Sequence, residues 1–222
     1  MRLFLHSLSP CCRRLGKLQN FPKNVKPLVR VDAPRVVLTH VRVIDGTGEA
    51  AVEDQNVVIE GGKISMIQKG ADVAGAAGTT VLDLRGYTVI PGIVGMPNHL
   101  FYGARPNLNS QWKYEQPVLL PQMTFSAPRL YLAGGVTTMR TTGSVETYAN
   151  LNLKRDIDMG KLPGPHLEVT GPYLEGAESY FVQMPHLTGT EDARQLVGLG
   201  RSRGDFLQGV HEHYSLRTEG RD

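Results

Sequence analysis

The chain has 222 residues, 41% hydrophobic and 20% charged, with a formal net charge of +3 at pH 7, enough for one large or two small domains with a buried core. Its two cysteines are the adjacent Cys11 and Cys12, which excludes a disulfide scaffold and a cysteine-ligated zinc site. Much of the basic excess lies in Arg2, Arg13, Arg14, Lys17, Lys23, Lys26 and Arg30, where no acid is interspersed; since no basic and aromatic interleaving recurs, a nucleic-acid partner is not expected.

Residues 1–34 read as a leader without fixed structure. The segment MRLFLHSLSPCCRRLGK has a short apolar patch broken by His6 and Pro10, too short for a membrane span and poor as a secretion signal. The expected compartment is therefore the cytoplasm, with a secreted or periplasmic location the alternative if the leader is a degenerate signal.

From Val36 onward, β-rich runs alternate with turn chemistry. Thr39, Val41 and Val43 alternate with His40 and Arg42 before the turn Asp45-Gly46-Thr47-Gly48. Asn56 to Glu60 and Lys63 to Ile67 flank Gly61-Gly62, a pair that supplies the positive φ of a two-residue hairpin. This region, 35–86, reads as a small antiparallel sheet, with a further strand over Thr80 to Leu84.

Near Gly86 the pattern changes from hairpins to alternating strands and helices, which argues for parallel βα units over 87–198. Tyr87 to Ile90 leads into Pro91-Gly92, and Ile93-Val94 reads as a buried parallel strand. A helix is expected over Ser126 to Ala133, ended by Gly134-Gly135, then a strand over Val136 to Arg140. A second helix follows over Tyr148 to Met159, closed by Gly160, and a strand over His166 to Thr170. A third helix begins at Glu191 behind the capping pair Thr188 and Glu191.

In this order, VRVIDGTG, VVIEGGKISMI, VLDLRGYTVIPGIV, LAGGVTTMR and PGPHLEVTGPYLEG resemble the amidohydrolase superfamily in its imidazolonepropionase-like and dipeptidase-like branch, over roughly Arg35 to Gly198. The resemblance implies an α/β fold: the N-terminal portion of a TIM-like (β/α)8 barrel preceded by a small β-sandwich (composite) domain, with the active site at the C-terminal ends of the barrel strands. It also implies a divalent metal, zinc above others, that activates water against an amide, cyclic amide or dipeptide C–N bond. Two histidines in His-x-His at the end of the first barrel strand would bind it, joined by a carboxylated lysine, two further histidines and an aspartate from later strands.

Aligned on Pro91-Gly92, those two ligand positions are Pro97 and His99, with Asn98 between them. Proline offers no ligand atom, so His99 is the one metal candidate of the pair. Thr141 and Thr142 stand where relatives carry an acid after the second strand. Asn98, Arg140, Thr142 and Tyr173 are the candidate substrate contacts; no catalytic acid or base is assigned.

A barrel of this type needs about 250 residues, and the segment 199–222 loses the βα pattern. The codons of Leu199 to Tyr214, displaced by one nucleotide, are compatible with a string such as WADRGVTSFKAYMNIT, the continuation the resemblance implies, so the expectation is a truncated barrel with an out-of-frame tail. The tail's His211-Glu212-His213 lacks the preceding Pro-Gly strand and is not read as the metal pair. Two other readings remain open: a non-catalytic remnant that pairs with another chain through unpaired barrel strands, and a small-molecule binding module on the same sheet.

Overall fold

The computed structural model describes residues 21–70, 77–101, 107, 109–111, 113, 115–174 and 181–202. The first part of the leader and the end of the tail, with His211-Glu212-His213, lie outside the described residues. Two compact units divide the chain: one contains the residues up to Ile93 together with Tyr131–Thr137 and Asp156–Pro165, the other Val94–Leu130, Thr138–Arg155 and the residues from His166 on.

The first unit is organised by β1 (Arg35–Val43), β2 (Val52–Glu60), β3 (Lys63–Lys69), β4 (Thr79–Asp83) and β5 (Thr88–Val89). They form a five-stranded sheet in the order β3-β2-β1-β4, with β5 also paired to β1. Strands β1, β2 and β3 are antiparallel, as the hairpin chemistry requires, and Gly61 and Gly62 have φ of 57° and 77°. Both β4 and β5 run parallel to β1, which makes the sheet mixed. Val36, Leu38, Val41, Val43, Val57 and Leu84 form its core, flanked by Val31, Ile59, Leu82 and Val89.

The register between β1 and β2 slips twice, in opposite senses. Thr39-His40 oppose Asn56 alone, and Glu53-Asp54 then oppose Arg42 alone. The second slip cancels the first, so the apolar side chains return to the core face. His40 and Asp54 each adopt φ of 57°, a conformation that costs an ordinary side chain about 1–2 kcal/mol. They compensate one another: His40 Nδ1 lies 2.7 Å from Asp54 Oδ1, and the His40 N–H donates to Asn56 Oδ1.

The hydrogen bond from His40 holds the Asp54 carboxyl below its ordinary 3.8. A depressed carboxylate contributes stability above its ordinary value and loses it as pH falls through its folded value. Asp54→Asn is therefore expected to lower stability at neutral pH, with the deficit shrinking as pH falls below the ordinary 3.8 and the native carboxylate protonates. Denaturant unfolding at both pH values checks this; a pH-independent deficit would count against it.

The remaining strands are β6 (Ile93–Asn98), β7 (Val136–Thr141) and β8 (His166–Glu168), in the order β6-β7-β8. Between them lie α1 (Ser126–Ala133) and α2 (Thr147–Asp158), and α3 (Thr190–Ser202) follows. The helix bounds match the sequence expectation closely, and the arrangement is α/β. Ile93 and Val94 are not buried as expected, being 46% and 59% exposed: β6 is an edge strand, paired on one side only among the described residues. At α3, Asp192 and not Glu191 caps the turn, accepting from both Thr188 N–H and Thr188 Oγ1. Here the shorter carboxylate, one residue further on, makes the reach.

Candidate functional site

The predicted site residues lie in the second unit, at or beyond the C-terminal ends of parallel strands, where open α/β sheets place their sites. Asn98 is the last residue of β6, and its carbonyl accepts the Thr142 N–H at 2.9 Å. In a parallel ladder this bond sets Thr142 beside His99. On the other flank β7 and β8 pair Arg140 with Glu168, and the contact continues past the strands as Ser144 N–H to Gly171 O and Tyr173 N–H to Ser144 O.

Those last two bonds bring Tyr173 back to the end of β6. Its hydroxyl oxygen lies 2.7 Å from His99 Nδ1, with the ring centroids 6.3 Å apart and the planes inclined by 26°. Tyr173 is 2% exposed. Its ring packs on the backbone of Gly143, where an added Cβ would stand 2.6 Å from Tyr173 Cε1. Gly143 also has φ of 65°, so both space and backbone conformation call for glycine there.

Beneath this contact is a buried polar lattice. Thr170 N–H donates to Thr141 Oγ1 at 2.8 Å, and Thr170 Oγ1 donates to the Thr141 carbonyl at 3.0 Å. Ser144 Oγ donates to Thr170 O, and Asn150 Nδ2 of α2 donates to Ser144 Oγ, both at 2.8 Å. Hydrogen bonds in a low-dielectric interior are strengthened and hold these side chains in one geometry. Thr141, which replaces an acid expected from the resemblance, ties the ends of two strands together in this way. Two buried oxygens, Thr142 Oγ1 and Asn150 Oδ1, have no hydrogen-bond partner among the described residues.

The structure thus gathers Asn98, His99, Thr142 and Tyr173 through direct hydrogen bonds. Arg140 lies further back on β7, half-buried, and among the described residues no hydrogen bond or ion pair joins it to that group. Glu168, its register partner, bonds His166 Nε2 at 2.8 Å. Sequence reasoning did not single out Gly143, Ser144, Asn150 or Thr170, and it marked Thr141 without its place in the lattice. The available signal was a glycine directly after two β-branched residues at a strand end.

The described residues do not supply a donor set for a metal. Among the described residues no three His, Cys, Asp or Glu side chains converge so as to hold one. Pro97 stands where the resemblance implies the partner ligand and offers no ligand atom.

No protein-family model matches the chain. Among solved structures it resembles a putative prolidase from Bifidobacterium longum, with a TM-score of 0.59 and 24% identity, over 78% of this chain and 39% of that one. A Xaa-Pro dipeptidase with bound methionine gives a TM-score of 0.56 and 21% identity, over 79% and 46%. Over the part it spans, the chain shares the fold of these amidohydrolase-superfamily structures. Phenylurea hydrolase B shares that fold at a TM-score of 0.54 and 21% identity, over 78% of this chain and 38% of its own. Among curated proteins, the N-substituted formamide deformylase of Arthrobacter pascens is 35% identical over 71 residues, 31% of this chain and 12% of the deformylase. The chain therefore spans less than half the length of these amidohydrolase-fold proteins. Among the described residues no helix is long and apolar enough to cross a membrane.

Proposed function

We propose that this chain is the N-terminal portion of a hydrolase of carbon–nitrogen bonds in non-peptide amides, cyclic amides or dipeptides, and that β6, β7 and β8 are the first strands of a (β/α)8-type barrel. The observation that carries the reading is His99 at the C-terminal end of β6, with Asn98, Thr142 and Tyr173 gathered around it. The likenesses support it, since a dipeptide, a phenylurea and an N-substituted formamide each have a C–N bond next to a carbonyl. In this reading Asn98, Thr142 and Tyr173 line the substrate end of the sheet, and Arg140 is available to an anionic group. A divalent metal, zinc in the first instance, belongs to intact relatives with a full ligand set.

The described residues supply one imidazole of that set, so hydrolysis by this chain is not expected. Pro97→His adds the second imidazole of the first strand and nothing else. Both the native chain and this variant are expected to show no zinc- or manganese-stimulated release of product from N-formyl amines, phenylureas or Xaa-Pro dipeptides. Metal-dependent turnover by Pro97→His would sink the claim that the ligand set is incomplete.

A second reading, a non-catalytic chain that binds a small molecule or pairs with another chain through an open strand edge, is favoured by Pro97, which offers no ligand atom, and by β6 lying at a sheet edge among the described residues. A cytoplasmic location accompanies both readings.

A further inference from the structure

We propose that Tyr173 donates its hydroxyl proton to His99 Nδ1 and holds the imidazole in the tautomer protonated on Nε2, making the end of β6 a hydrogen-bonded dyad in place of a metal-binding histidine. The separation is the first argument. At 2.7 Å the contact is a short hydrogen bond, so a proton lies between the phenol oxygen and Nδ1. Chemistry points the same way: a phenol is a ready donor, and the bare nitrogen of a neutral imidazole is an acceptor.

The surroundings keep the hydroxyl in place. Tyr173 is 2% exposed, its N–H is bonded to Ser144 O, and its ring lies on the Gly143 backbone. Swinging the ring away would break the packing with Gly143, so Tyr173 acts as a positioning residue for His99. The consequence for metal chemistry is direct. A histidine ligand must present a lone pair; the lone pair on Nδ1 is engaged by the hydroxyl, and Nε2 carries the proton. Coordination through Nε2 would require the ring to move its proton to Nδ1 and turn the Tyr173 hydroxyl from donor into acceptor, and among the described residues no convergent set of ligands favours that switch. The position of that proton does not depend on whether the chain hydrolyses anything.

The test uses the full chain with 15N-labelled histidine. Long-range proton–nitrogen correlation spectra identify which ring nitrogen is protonated, and the His99 signals are assigned by their loss in His99→Gln. The expected result is a single His99 tautomer protonated on Nε2, unchanged by equimolar Zn2+. Tyr173→Phe, which removes only the hydroxyl, is expected to convert it into a mixture of tautomers. A native His99 protonated on Nδ1, a zinc-induced shift of its Nε2 signal, or a Tyr173→Phe spectrum with the native tautomer intact would each overturn the proposal. The native spectra decide the first two points, so a variant that fails to fold does not remove the test.

Discussion

Gly143→Ala is expected to destabilise the second unit and to detach Tyr173 from His99. The new Cβ would stand 2.6, 2.7 and 2.8 Å from Cε1, Cζ and Cδ1 of the Tyr173 ring, and a ring that is 2% exposed has no empty space to enter. Overpacking a filled site costs about 1–3 kcal/mol. The backbone adds to this, since φ of 65° costs an L side chain a further 1–2 kcal/mol or so. The combined loss of about 2–5 kcal/mol should appear as a clear fall in denaturation midpoint, together with faster exchange of the Tyr173 amide that bonds Ser144 O. A Gly143→Ala chain with native stability and a protected Tyr173 amide would show that the glycine is not what seats the tyrosine.

Gly92→Ala is expected to be comparably costly for a different reason. Its added Cβ would meet Thr137 Oγ1 at 2.0 Å, Cγ2 at 2.6 Å and Cβ at 2.8 Å. Threonine is stiff at χ1, and with three of its atoms inside contact distance no rotamer clears the space, so the backbone has to shift. The expected loss is about 1–3 kcal/mol or more. Thr137→Gly removes all three obstructing atoms, at the cost of about 0.5–1 kcal/mol for a glycine in a strand. A double mutant cycle should therefore show strong favourable coupling, with Gly92→Ala nearly neutral on the Thr137→Gly background. Simple additivity of the two losses would refute the close-approach account of the Pro-Gly turn.

Local signals in the sequence carried much of the fold. The helix over Ser126–Ala133 is found as expected, because Gly134-Gly135 stops it and a β-branched run follows. Likewise the Gly61-Gly62 hairpin follows from the positive φ that only such residues adopt readily. Long-range pairing was less legible. Nothing local in Thr80–Leu84 or Tyr87–Ile90 says that both segments will run parallel to β1. The paired bulges at His40 and Asp54 were also hidden, since neither is glycine and each is tolerable only because the other faces it.

At the candidate site, the sequence pattern located His99 at a strand end and marked Pro97 as a position without a ligand atom. It also named Tyr173, but not as the partner of His99. That contact depends on Ser144 and Gly171 folding the chain back across β7 and β8, a tertiary event with no local signature. The same holds for Thr141, whose replacement of an acid reads in sequence as a loss and in structure as a tie between strand ends.

The central claim is that His99, placed by the sequence resemblance where a metal-binding histidine is expected, does not form half of a metal pair. The most direct measurement is zinc bound per chain by the native protein and by His99→Gln, purified and equilibrated with the same buffered zinc, so that any uptake by other histidines cancels. The result expected is the same zinc content in both. A full equivalent bound by the native chain and absent from His99→Gln would contradict the account and make His99 a metal ligand.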